Sequence, residues 1–140
     1  MRLPAALALL ALAGCVFGRA PLPSDVQDLV DYLEARNLRL VPAEVAYDRA
    51  FETVDPEAHV VTYSVTATQP RSQDRRLAGA LLDVYQFDSE AALTAGLAGL
   101  RRIHARGSLY VRGTTVLYVR GDAPDLAVAL GRRFGVPIPA

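Results

Sequence analysis

Chemistry has few places to reside in this chain. The one thiol is Cys15, the two imidazoles are His59 and His104, and every basic residue is an arginine. The histidines stand 45 residues apart, with no His-x-x-x-His pair and no second cysteine, so no zinc-type ligand spacing exists. His104 falls near a helix C-terminus, where an imidazole suits the dipole, and reads as a capping partner. His59 opens a strand and reads as an exposed turn residue. There is no Gly-x-Ser-x-Gly elbow, and the serines fall at caps, turns and a strand edge. Neither phosphate-binding glycine loop is present, and a Walker loop needs a lysine that is absent. Among the 15 acids, Asp48 and Glu52 are the best pair for acid–base work, but a solvated strand face is the better account of them. The expectation is no catalytic residue, no metal and no cofactor.

The thiol has the most informative setting. Met1-Arg2 gives a positive start, Leu3 to Leu12 is apolar, and Ala13-Gly14 supply small residues before Cys15. The apolar run of about ten to twelve residues falls short of the roughly 20 that span a bilayer. Leu12-Ala13-Gly14-Cys15 resembles the lipobox of bacterial lipoproteins, the sequence read by their signal peptidase. That resemblance implies a diacylglyceryl thioether on Cys15, cleavage before it, and further acylation of the new amine, palmitate being the usual kind of chain. Two or three chains anchor stably where one binds only marginally. Val16 follows the cysteine, so the inner-membrane retention aspartate of some envelopes is missing. The expected location is the cell envelope, with the outer membrane or outer surface favoured over the inner membrane. An ordinary secretory signal is the alternative.

The division that follows is residues 1–14 as signal peptide, 15–23 as lipidated cysteine and tether, and 24–140 as a single domain. The chain is 51% hydrophobic and stays apolar past the signal, which is the composition of a folded chain. Loss of Arg2 with the signal leaves 14 arginines against 15 acids, a net of −1. Near-neutrality excludes the usual nucleic-acid binder. With its one cysteine lipidated the chain has no disulfide, and its stability rests on the core.

The tether holds Gly18, Pro21 and Pro23, which keep it out of a helix. Ser24 and Gln27 have capping-box spacing, and Val26, Leu29, Val30 and Leu33 form one stripe of a helix over 25–36. Asn37 is placed to end it in the left-handed conformation. Alternation predicts strands over 43–55, with Val45, Tyr47 and Phe51 on one side, and over 59–68. Residues 69–76 read as an exposed loop and 77–87 as a central strand. Asp88 is placed to cap a helix over 89–105 along Leu93, Leu97, Leu100 and Ile103, with Gly96 and Gly99 letting it lie close to the sheet. A hairpin turning at Arg112-Gly113 follows, then a helix with Asp122 as cap and Pro124 in its first turn. The order α-β-β-β-α-β-β-α predicts an α+β fold. We expect two layers, with a mainly antiparallel sheet of about five strands and helices packed on one face.

The last 60 or so residues add a second, looser resemblance. Val84-Tyr85-Gln86-Phe87, the helix, Tyr118-Val119-Arg120-Gly121-Asp122 and Leu130-Gly131 are similar to a pattern in small bacterial lipoproteins with no assigned activity. It implies the fold only.

Charge is unevenly spread. Asp25 to Glu57 holds nine acids and three arginines, a net of −6, whereas Arg71 to Ala140 holds ten arginines and six acids, a net of +4. The halves either pair within the fold or leave surfaces of opposite sign. In the second case Arg71, Arg75, Arg76, Arg101, Arg102 and Arg106 form a basic docking patch for an acidic protein or another anionic envelope component. The sequence reading is thus a membrane-anchored lipoprotein acting as an interaction or scaffold module. Two alternatives stay open: a small-ligand-binding accessory lipoprotein with a cleft lined by Tyr63, Tyr85 and Tyr118, and a small hydrolase with an atypical site.

Overall fold

The computed structural model describes residues 22–43, 58–69, 76–104, 108–134 and 138–139. A single 3-10 turn, Ser24–Val26, leads into α1 (Gln27–Glu34), then β1 (Leu38–Pro42), β2 (His59–Ala67) and β3 (Leu81–Gln86). There follow α2 (Glu90–Ile103), β4 (Ser108–Arg112), β5 (Thr115–Arg120), α3 (Pro124–Phe134) and the two-residue β6 (Ile138–Pro139). The strands form one antiparallel sheet in the order β1-β2-β3-β5-β4-β6. The α+β class is that expected and the element order roughly so: β1 at 38–42 and the short β6 are additional to it, and the strand expected over 43–55 lies almost wholly outside the described residues.

Side-chain alternation divides the molecule. Tyr63, Val65, Leu82, Val84, Leu117 and Tyr110 point to one face, where Val26, Leu29 and Leu33 of the α1 segment and Leu126 and Leu130 of α3 cover them. Tyr85, Val116 and Leu109 point to the other face and meet Ala92 and Leu100 of α2. Helices therefore cover both faces, which corrects the expectation of helices on one. The cause is topological. β3 and β4 run parallel with β5 between them, and a connection between parallel strands must cross over a face of the sheet. Gly96 lies buried on the sheet side of α2, as its close approach requires.

Three helix starts differ from the sequence reading. Ser24 caps nothing through its side chain; the chain enters by the 3-10 turn, and Gln27 donates from Nε2 to Asp31 Oδ1 at 2.8 Å. Ser89, not Asp88, caps α2, its Oγ accepting the Ala92 N–H at 3.1 Å. At α3 the Ala123 carbonyl accepts from Ala127, which puts Pro124 in the first turn and Asp122 one residue too early. Asn37 does adopt the left-handed conformation, at φ 57°, and its carbonyl takes both the backbone N–H and the hydroxyl of Thr68.

The β4–β5 hairpin is pinned to the start of the domain. Arg112 Nη1 donates to Asp28 Oδ2 at 2.6 Å, and Thr115 Oγ1 donates to Asp25 Oδ2 at 3.0 Å. Acidic and basic halves thus pair, at least here. Between these contacts Gly113 turns at φ 57°, and a Cβ there would come within 2.7 Å of the Asp25 carboxylate. Gly121, at φ 69°, has open space around it. Gly113→Ala should therefore cost more than Gly121→Ala. Each bears the left-handed penalty of about 1–2 kcal/mol, and only the first also disturbs Asp25. Urea unfolding of the two variants checks the order.

Candidate functional site

A lone carboxylate sits in the middle of the apolar central strand. Asp83 is fully buried, on the α2 face, abreast of Thr62 on β2 and Tyr118 on β5. Thr62 Oγ1 donates to Asp83 Oδ1 at 2.6 Å. Arg120, two residues along β5 from Tyr118, donates from Nε to Oδ1 at 2.8 Å and to Oδ2 at 2.7 Å.

The second part of this layer comes from α2. His104 ends that helix, its N–H bonded to the Leu100 carbonyl, and its ring turns inward. Nε2 lies 2.8 Å from Tyr85 Oη, and the ring stacks on Tyr118 with centroids 3.6 Å apart. The capping role holds for its backbone only; its side chain is a core group. Burial lowers its pKa below the ordinary 6.5, with nearby Asp83 opposing that shift and Arg120 adding to it. Thr62, Asp83, Arg120, His104, Tyr85 and Tyr118 thus form a polar layer beneath α2. It has the ingredients of acid–base chemistry, but its carboxylate and imidazole are both out of solvent's reach.

Two clefts open at the far end of the strands. The larger, about 410 Å³, is lined by Arg76, Gly79, Leu81, Arg120, Gly121 and Asp122 among others. Arg120 is the residue through which the buried layer reaches it. The smaller, about 150 Å³, shares Gly121, Asp122 and Ala123 and is backed by Tyr110, whose hydroxyl donates to the Ala127 carbonyl. At the opposite end, an apolar recess of about 240 Å³ lies between Pro23, His59, Tyr63, Val84 and Gln86. The chain enters the domain beside it.

The residues singled out from sequence are scattered in this frame. Cys15 and Leu12, Ala13 and Gly14 lie outside the described residues, as do Asp48, Glu52, Arg71, Arg75 and Arg106. Arg76, Arg101 and Arg102 are exposed, Arg76 in the turn before β3 and the other two on the last turn of α2. His59 is exposed at the start of β2, as expected. The tyrosine-lined cleft does not form, because Tyr63 faces α1 and α3 whereas Tyr85 and Tyr118 face α2. Among the described residues no three metal-ligating side chains cluster.

Sequence reading passed over the Asp83–Arg120 pair, though its signal was present. A single carboxylate in an otherwise apolar central strand must find a partner or remain uncharged. His104 had a signal too, standing four residues beyond Leu100 on the buried stripe of α2. Comparison with known proteins finds no matching family model, no matching curated protein and no matching solved structure.

Two outcomes follow from the layer. Asp83→Asn removes the buried carboxylate that Arg120 and Thr62 hold and should cost about 3–5 kcal/mol in urea unfolding. Burial favours the neutral imidazole, so the unfolded chain takes up its proton near pH 6.5 before the folded chain does. The His104 contribution is therefore complete above that pH and is lost as pH falls below it. Unfolding free energies at about pH 7.5 and about pH 5.5 should differ more for the native chain than for His104→Gln.

Proposed function

We propose that this chain is a lipid-anchored lipoprotein of the cell envelope whose domain works by contact with a partner and not by catalysis. The observation that carries the reading is the Leu12-Ala13-Gly14-Cys15 motif, with its positive start and short apolar run. The domain's first described residue is Leu22, seven residues beyond Cys15, so cleavage and lipidation would leave every described element intact. That Val16 follows the cysteine favours the outer membrane or outer surface. Partners are the membrane through the lipid, and an envelope protein or other anionic envelope component through the arginine-rich surface. Nucleic acid is not among them. Support for a surface role comes from Arg76, Arg101 and Arg102, which are all exposed.

The test is expression in a bacterial host fed a clickable fatty acid. The native chain should carry the label, partition into detergent and begin at Cys15 by mass spectrometry. Cys15→Ala should stay unlabelled and uncut. A native chain that carries no label and is not cut before Cys15 overturns the anchor. For the surface role, an Arg71→Glu/Arg75→Glu/Arg76→Glu variant should lose crosslinks made by the native chain in intact envelopes. Retention of every crosslink removes those arginines from the interface.

A further inference from the structure

We draw no further inference here: the strongest candidate, the apolar recess at the chain-entry end of the sheet between Pro23, His59, Tyr63, Val84 and Gln86, carries nothing, because nothing in the structure shows what covers it.

Discussion

One ion pair in the middle of the sheet constrains everything around it. Burying a carboxylate and a guanidinium costs several kcal/mol each in lost hydration, and only close geometry offsets it. Asp83 obtains that geometry from two other strands at once, a hydroxyl from Thr62 on β2 and a guanidinium N–H from Arg120 on β5. The contacts exist only in the observed register, in which Thr62, Asp83 and Tyr118 lie abreast. A slip of one residue would turn Arg120 to the opposite face, which α1 and α3 cover with leucine and valine. Hydrophobic pattern alone would penalise such a slip weakly here, because β3 is apolar on both faces. The ion pair supplies the discrimination that the pattern lacks.

This also explains why the two faces differ. The face under α1 and α3 is aliphatic, with Tyr63 and Tyr110 as its aromatic members. The face under α2 combines Phe87, Leu109 and Val116 with the polar layer, and the helix above it is built largely of alanine, glycine and leucine. Small residues let α2 come close, and closeness is what allows His104 to reach both Tyr85 and Tyr118. The imidazole fills the position an aliphatic residue would take while bonding the Tyr85 hydroxyl, which would otherwise be a buried polar group without that contact.

Periodicity revealed most of the fold. Stripes such as Val26-Leu29-Leu33 and alternations such as Val61-Tyr63-Val65 are local, and local pattern predicts element type. What it could not reveal depends on partners far away in sequence. That α2 must cross a face of the sheet follows from β5 inserting between β3 and β4, and β1 is recruited by pairing with β2 across the segment between them. The cap of α2 was missed by one residue, because Asp88 and Ser89 are both good caps and only the backbone turn chooses. The candidate site was half legible. Asp83 and His104 each violate a local pattern, but which arginine would meet Asp83 is decided by register, and Arg112 and Arg120 stand in the same Tyr-Val-Arg-Gly tetrapeptide.

The sheet has two distinct ends. Pro23 enters beside His59 and Gln86, while Arg112 and Thr115 bind the first acids of the domain. The clefts open at Leu81, Arg120 and Gly121, the other termini of the same strands. A six-residue strand spans about 17 Å, which is the separation of the two ends of the sheet along β3 and β5. A lipid on Cys15 would leave seven residues of chain to Leu22, a reach of no more than about 25 Å. So short a leash would hold the domain close to the bilayer. A recognition site at the chain-entry end would compete with the membrane for the same space; one at the far end does not. An anchor at the chain-entry end would therefore leave the Arg120 end of the sheet accessible to whatever the domain contacts.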